Sequence, residues 1–322
     1  DGSSSSLRSA TNWSAVMCAA AMTAGRACGD ERLYHEALYG KDRNPDTKKG
    51  GFYFYIDNGL DDDGLWGEGA IGYQFMAMRA LLVMAEVMWY DGIDAYGYRN
   101  GRMKMIFDSP IWYGYPGGEN SPAIHDSGGA SLFNRDSHLY QYAKRRYGDN
   151  TYNAILHRAS GSLESKYNQY LPACDFAPVE AGDLPKVPSI LFPGVGFAIA
   201  RTGAAADATY LLMDYGPNRS HGHPDKLNVN LFALGQELFA DGGSAWYTTD
   251  VYQNYYKYTL AHNTVLANEM SQAHTDGKLH VYGSSGPLAV IRGSCDTAIP
   301  GTSLDRTIAQ VGHRIYDVYR AH

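Results

Sequence analysis

The sequence predicts an α+β fold in which helices come first and an antiparallel β-sheet follows. Over roughly the first 170 residues the apolar side chains form long runs rich in helix formers. From Leu184 onward they form short alternating runs separated by glycine-rich turns. Helices followed by strands indicate two layers or domains rather than a doubly wound α/β fold. We therefore predict a helical domain at residues 1–180 and an antiparallel β-sheet domain at residues 181–322.

Three segments predict the helices. Residues 12–28 are dense in small and apolar side chains, which predicts a buried helix. Residues 73–89 show the clearest helical pattern in the chain, apolar on most faces and ended by Asp91-Gly92. Residues 131–147 show a third such pattern. The acidic, glycine-rich stretch 61–69 lacks the ligand spacing of an EF-hand, so we interpret it as a loop leading into the second helix, with calcium binding as the alternative.

Strands are predicted by short, alternating apolar runs in the second part of the chain. Glycine-rich turns separate these runs, as in an antiparallel sheet. The runs cover residues 189–201, 209–215, 227–240 and 279–292. The chain begins without methionine and stops in a strand-like run, so we expect a piece of a longer protein and leave its compartment open.

Composition excludes several classes of protein. With 322 residues, 44% of them hydrophobic, the chain can bury a core. A net charge of -7 and the lack of a basic run argue against a dedicated nucleic-acid binder. An acidic polysaccharide remains a possible partner, because the local charge in a cleft matters more there than the net balance. The chain contains no run of about 18 apolar residues, so the sequence predicts no membrane span. The oligomeric state is left open.

Tyrosine and cysteine usage adds two observations. The 26 tyrosines and 5 tryptophans suit sugar rings, which have apolar faces and polar rims, although strands and helix surfaces also use these residues. The four cysteines show no C-x-x-C spacing, which predicts free thiols rather than a disulfide framework or a zinc ribbon.

The densest chemistry lies in Ser220-His221-Gly222-His223-Pro224-Asp225, directly before a predicted strand. A buried imidazole needs partners for both ring nitrogens, so two of them one residue apart must be held by something specific. Asp241 and His262 follow further along, and with one histidine of the pair they give a ligand set that zinc prefers. The alternative is a hydrogen-bonded or exposed histidine pair.

One point opposes the metal interpretation. If Gly235-Gln236 is a two-residue hairpin turn, Asp241 lies opposite Asn230 and far along the strand from His223. The metal site then requires the loop at residues 220–226 to fold back over the sheet.

Five motifs in order resemble the heparinase II/III-like polysaccharide lyases, most closely the oligoalginate lyase branch. The resemblance covers most of the chain, from Asn12 to Gln272, and its motifs are specific only in combination. They are Asp63–Gly69 with Gly72-Tyr73, Ile124-His125-Asp126-Ser127, Ser220–Asp225, Asp241-Gly242-Gly243 and Ala261–Val265. The resemblance implies an incomplete (α/α) toroid followed by a sandwich-like antiparallel β-sheet domain, with an active cleft between them.

The resemblance also implies roles for individual residues. Tyr73 and His221 would be catalytic, and a structural Zn²⁺ or another divalent metal would be bound by His223, Asp241 and His262. The candidate substrate-binding residues are Glu68, His125, Arg201 and Tyr247. Family members usually carry an Asn or His on an early helix to neutralise the substrate carboxylate. This chain has no confident match there, because Asn12 lies too early.

The expected reaction is β-elimination of a 4-linked uronate. It removes the C5 proton, stabilises the carboxylate-conjugated carbanion and protonates the O4 leaving group. Tyr73 and His221 on opposite sides of one ring could serve the two configurations at C5, as in mannuronate and guluronate. Alginate or its oligomers are therefore the first expectation. The alternatives are a heparin or glycosaminoglycan lyase, a metal-dependent hydrolase and an inactive carbohydrate-binding relic.

Overall fold

The α+β prediction is confirmed, since helices precede two antiparallel sheets. The computed structural model describes residues 10–40, 50–133, 136–159, 180–203, 208–312 and 314–322. The chain forms two compact units, the first being residues 1–68, 72–111 and 132–185, the second residues 69–71, 112–131 and 186–322. Residues 112–131 thus belong to the unit that holds the strands. The division at 180/181 stays a prediction, since residues 160–179 lie outside the described part.

Eight α-helical segments occur in the described part of the chain. They are α1 (Asn12–Cys28), α2 (Glu31–Tyr39), α3 (Phe52–Asn58), α4 (Ile71–Tyr90), the single turn α5 (Tyr98–Gly101), α6 (Lys104–Tyr113), α7 (Leu139–Tyr147) and α8 (Asn153–Arg158). Helix α1 begins with a capping box, in which the Thr11 hydroxyl accepts the N–H of Ser14. It buries one face only, and Trp13 and Met17 are exposed on the other, so this helix is less buried than predicted. The third predicted helix is shorter than expected, since α7 begins only at Leu139.

Helix α4 is the central helix of the first unit. The buried side chain of Gln74 fixes its first turn by donating to the carbonyls of Gly64 and Ile106 and to the Ser109 hydroxyl, at 2.8–3.2 Å. By length and composition α4 could also cross a membrane, but 67% of its apolar window is buried inside the protein. Such burial is what the core helix of a globular unit shows.

The strands of the second unit form two antiparallel sheets. The first sheet has the order β1-β2-β3-β4-β5 and the second β6-β7-β8-β9. The first contains β1 (Ile190–Phe192), β2 (Phe197–Thr202), β3 (Thr209–Asp214), β4 (Asn228–Ala233) and β5 (Gln236–Phe239), and the second β6 (Lys278–Ser285), β7 (Leu288–Ile299), β8 (Thr302–Val311) and β9 (Arg314–Ala321). In both sheets, strands that lie side by side also follow one another in the chain, as expected for an antiparallel sheet built from short successive runs.

One hydrophobic core joins the two sheets face to face. Alternate residues of β2, β3 and β4 contribute to it, together with residues from β7 and β8. These are Ala198, Ala200, Leu211, Met213, Val229 and Leu231 from the first sheet and Ala289, Ile291, Cys295, Leu304 and Ile308 from the second. The side chains between them on β3 and β4, Asp214 and Asn228 among these, therefore lie on the opposite face of the first sheet.

Residues 112–131 pack against that opposite face. The ring of Tyr113 lies 5.9 Å from Phe197, and the ring of Tyr115 lies 4.9 Å from Tyr210. The hydroxyl of Tyr210 donates to the Tyr113 carbonyl at 2.9 Å. This packing brings His125 and Asp126 to the end of β3, next to the loop that carries His221 and His223.

The hairpin between β4 and β5 turns one residue earlier than expected. Ala233 pairs with Gln236, so the turn residues are Leu234 and Gly235, both with positive φ. This is the conformation of a type I′ turn, in which glycine takes the second position rather than the first. The expectation that Asp241 lies opposite Asn230 is therefore wrong. Asp241 instead accepts a hydrogen bond from Asn228, at 2.5 Å.

Candidate functional site

Asp126 is the centre of the site in the second unit. Its carboxylate accepts three hydrogen bonds, from His221 Nδ1 at 3.0 Å, His223 Nε2 at 2.9 Å and the Tyr252 hydroxyl at 2.7 Å. Its backbone N–H donates to the His221 carbonyl at 3.0 Å. The loop at residues 220–226 is thus held against residues 124–127, which provides the fold-back that the metal interpretation requires.

The bonds to Asp126 determine which ring nitrogens carry protons. Burial raises the pKa of Asp126, but the hydrogen bonds from His221, His223 and Tyr252 outweigh it and hold that pKa well below its ordinary value. An ionised carboxylate can only accept, so Nδ1 of His221 and Nε2 of His223 must donate. In a neutral ring the other nitrogen then has a lone pair, which is Nε2 in His221 and Nδ1 in His223.

His221 and His223 differ in exposure and hence in what their lone pairs can reach. The side chain of His221 is 21% exposed, whereas that of His223 is 3% exposed. Nδ1 of His223 is buried and makes no hydrogen bond within the described residues. A buried nitrogen lone pair without a donor is a suitable ligand for a metal ion. Nε2 of the more exposed His221 is suited to accept a proton.

The structure brings His223 together with Asp241 and His262, as the sequence predicts for a metal site. The rings of His223 and His262 lie 5.1 Å apart. Nδ1 of His262 lies 2.8 Å from Asp241 Oδ2. Asn228 positions both segments, because its side-chain Nδ2 donates to Asp241 and its side-chain Oδ1 accepts the backbone N–H of Asn263 at 2.9 Å. Two imidazoles and a carboxylate fit the donor preference of zinc.

The protonation of His262 reflects the surrounding carboxylates. Burial lowers the pKa of His262, but the hydrogen bond to Asp241 and the charges of Asp225 and Asp241 outweigh it and raise that pKa to about 9. In the metal-free protein a proton therefore lies on Nδ1 at neutral pH. A metal ion at this nitrogen would have to displace that proton, so its affinity should weaken as the pH falls.

A buried charge network lies beside these donors. His125 Nδ1 faces the Gly69 carbonyl and its Nε2 faces Asp214, each at 3.0 Å. Both partners accept, so His125 is an imidazolium when both bonds form. Burial lowers its pKa, but the bond to Asp214 outweighs burial and raises it. Lys226 Nζ also contacts Asp214, at 2.7 Å. His125, Asp214 and Asp225 could also group around a cation, but the Lys226 ammonium already supplies positive charge there.

These contacts locate the predicted substrate-binding residues of the second unit. His125 is buried with both ring nitrogens bonded, and Arg201 donates to the carbonyls of Trp112, Gly114 and Pro188. Both sets of contacts support the fold, and contact of either residue with substrate stays a prediction. Tyr247 is 41% exposed, and its hydroxyl lies 3.4 Å from His221 Nδ1. Among the predicted substrate-binding residues of the second unit, Tyr247 is therefore the residue that lies beside the candidate catalytic histidine, His221.

The first unit holds Glu68 and Tyr73. The Glu68 carboxylate accepts from the N–H and amide of Asn12 at 2.8 and 2.7 Å and from the Trp66 indole at 2.7 Å. It thereby fastens the start of α1 to the loop before α4. Tyr73 is half-buried in the first turn of α4. Substrate binding by Glu68 and catalysis by Tyr73 stay predictions.

Comparison with known proteins finds a family match in the part of the chain that holds the first sheet. A family model described as "Heparinase II/III-like, C-terminal" matches residues 184–292. Over these residues the chain is similar to that family. The matched segment contains His221 and the candidate metal ligands His223, Asp241 and His262. A heparin-sulfate lyase of Bacteroides stercoris is 29% identical over 115 residues, which make up 34% of this chain and 17% of that protein.

Solved structures extend the likeness to the first unit at the level of the fold. The heparan sulfate lyase HepC from Pedobacter heparinus gives a TM-score of 0.67 at 18% identity, over 84% of this chain and 40% of that chain. A crystal structure of heparinase III gives a TM-score of 0.71 at 16% identity, over 96% of this chain and 47% of that chain. This chain therefore spans less than half the length of these structures.

Asp126, Tyr252 and Asp225 lie in the site, but the sequence assigns none of the three a role. Asp126 stood in a recognised motif, but its partners His221 and Tyr252 lie 95 and 126 residues away in the chain. Asp225 belongs to the histidine motif, which predicts no role for it, although it lies beside His262. The sole sequence signal for Asp126 and Asp225 is an aspartate within two residues of a histidine, which is common in proteins generally.

Proposed function

We propose that this chain contains the catalytic part of a polysaccharide lyase that cleaves a 4-linked uronate by β-elimination. The observation that carries the proposal is the hydrogen bond between His221 Nδ1 and Asp126 at 3.0 Å. It supports the tautomer of His221 in which Nε2 can accept a proton, and a partly exposed base of this kind is what C5 proton removal requires. The match to heparinase II/III-like proteins supports the reaction class.

We assign the remaining chemistry to Tyr73. A phenol can give its proton to O4 of the leaving sugar and, once deprotonated, can act as the base for the other configuration at C5. His221 would then serve one C5 epimer and Tyr73 the other, while O4 protonation by Tyr73 is common to both. Electrons from the broken C5–H bond form the C4=C5 double bond as the C4–O4 bond breaks. No water is consumed.

A divalent metal, zinc by donor type, would be held by His223, Asp241 and His262. A bound cation would neutralise buried carboxylate charge and fix the loop that carries His221. The elimination needs no activated water, so the role proposed for the metal is structural. The ring of His223 fits this role, because Asp126 holds its Nε2 at 2.9 Å and leaves Nδ1 with a lone pair.

The substrate we propose is a glycosaminoglycan of the heparin or heparan sulfate type. This substrate is supported by two similar proteins, which are described as a heparin-sulfate lyase and a heparan sulfate lyase. Alginate, the first expectation from the motifs, stays the alternative, since it too is a 4-linked uronate polymer. Both substrates are acidic polysaccharides.

The test is a product assay on a panel of substrates. Purified protein is incubated with heparan sulfate, heparin and alginate, and both near-ultraviolet absorbance and new reducing ends are followed. The proposal predicts that the two signals rise together on at least one substrate, because every elimination creates a double bond conjugated to the carboxylate. New reducing ends without absorbance would indicate a hydrolase, and neither signal would indicate a binding protein.

A further inference from the structure

Asp225 is a buried carboxylate whose surroundings do not account for its charge. Its side chain has no solvent exposure, and neither carboxylate oxygen makes a hydrogen bond within the described part of the chain. The nearest charged groups are Lys226 Nζ at 3.7 Å and His262 Nδ1 at 3.9 Å. A buried carboxylate at such distances from its partners is costly unless a further cation is present.

Lys226 is engaged mainly elsewhere. Its ammonium group lies 2.7 Å from a carboxylate oxygen of Asp214, which is a hydrogen-bond distance. The nearest oxygen of Asp225 lies 3.7 Å away. Lys226 therefore pairs with Asp214, and it leaves Asp225 a weaker electrostatic contact. The pairing of Lys226 with Asp214 thus leaves both oxygens of Asp225 without a hydrogen bond from Lys226 and open to a metal ion.

The position of Asp225 matches that of a metal ligand. One oxygen of Asp225, one oxygen of Asp241 and one nitrogen of His262 all lie within 4.8 Å of one another. Ligands bound to zinc at about 2.0–2.2 Å lie no more than roughly 4.4 Å apart, so a small contraction brings all three onto one ion. The backbone supports this placement, because the Asp225 carbonyl accepts the N–H of Asn228, the residue that positions Asp241.

We propose that Asp225 is a metal ligand together with Asp241 and His262, whose ligand atoms lie within 4.8 Å of it. His223, whose ring lies 5.1 Å from that of His262, would complete with them a closed set of two imidazoles and two carboxylates. The inference rests on the metal proposed above and goes beyond it in the ligand set. Four protein ligands fill a tetrahedral zinc site and leave no position for a reactive water. The closed set therefore makes the ion a structural one and fixes Pro224 between His223 and Asp225, the two bound residues of the loop.

The test compares Asp225→Asn with Asp214→Asn. Both variants neutralise a fully buried aspartate that contacts Lys226, but only Asp225 lies within reach of Asp241 and His262. Zinc content of the purified proteins is measured by elemental analysis, and zinc affinity by competition with a chromogenic chelator. X-ray absorption of the zinc-loaded wild-type protein counts the nitrogen and oxygen ligands independently of any variant.

We expect wild-type protein to bind one zinc with four nitrogen or oxygen ligands. Asp225→Asn should weaken zinc affinity by roughly a hundredfold or more, since loss of an outer-shell partner alone costs about 10- to 100-fold. Asp214→Asn should change it by less than about tenfold. Equal affinities of Asp225→Asn and wild type, or a fifth or sixth ligand in the absorption spectrum, would overturn the proposal. Wild-type protein that binds no zinc would refute both metal proposals, whereas the lyase assay would stand on its own.

Discussion

A single carboxylate, Asp126, connects the candidate catalytic histidine to the candidate metal site. It accepts from His221 through one oxygen and from His223 and Tyr252 through the other. One group therefore orients the candidate base His221 and the candidate ligand His223 together, so a substitution at either histidine should change the orientation of the other. The arrangement of carboxylate, histidine and metal is one that fixes ring orientation in many metal sites.

Asp126→Asn should weaken both catalysis and metal binding. An asparagine offers one acceptor and one donor group, so one histidine N–H would face an N–H and its ring would turn or change tautomer. We expect kcat to fall by about 10²- to 10⁴-fold, as for other groups that hold a general base. Zinc affinity should fall by about 10- to 100-fold.

The control for this variant is Asp296→Asn, an exposed carboxylate on β7 that should leave both quantities unchanged. Initial rates and zinc affinity are measured on the same preparations. If Asp126→Asn keeps wild-type kcat and binds zinc normally, Asp126 has no positioning role.

Individual elements differ in how far the sequence predicts them. The sequence predicts helix α4 from its apolar pattern and the strands from their alternating side chains. Both patterns can be read from neighbouring residues of the sequence. The turn between β4 and β5 did not follow, since Leu234 takes a positive φ that its own chemistry disfavours. The pairing of Ala233 with Gln236 imposes that conformation. Turn geometry of this kind depends on register, which a single sequence does not show.

Leu234→Asn should therefore stabilise the second unit. Leu234 has φ +56° and is exposed, so its replacement removes backbone strain without removing core contacts. Asparagine followed by glycine is the preferred sequence of a type I′ turn. We expect the free energy of unfolding to rise by about 0.5–1 kcal/mol, a part of the roughly 1–2 kcal/mol cost of a left-handed conformation.

Chemical denaturation followed by circular dichroism measures this effect. Leu238→Asn is the matched control, because Leu238 is also exposed but lies within strand β5. That variant should give no gain, since asparagine is unfavourable in strands. A gain for Leu238→Asn as large as that for Leu234→Asn would show that reduced surface hydrophobicity, not turn geometry, is responsible.

At the scale of the whole molecule, the structure confirms the predicted α+β chain, whereas metal binding stays a proposal. The motifs that predicted His223, Asp241 and His262 are short, but the first sheet and the loop before β4 bring them together. The structure adds Asp126 and Asp225, whose importance arises from contacts between distant segments. Tyr73 and His221 lie in different units, so their joint action is tested by kinetics.

The most direct test of the lyase account is the initial rate of unsaturated uronate formation by Tyr73→Phe. This variant keeps the ring and removes only the oxygen that carries the proton. We predict a loss of about 10²- to 10⁴-fold on substrates of either C5 configuration, while Tyr90→Phe, an exposed change at the other end of α4, keeps wild-type rates. His221→Ala should impair one C5 epimer more than the other. Near-normal rates for a folded Tyr73→Phe protein on either substrate would contradict the account.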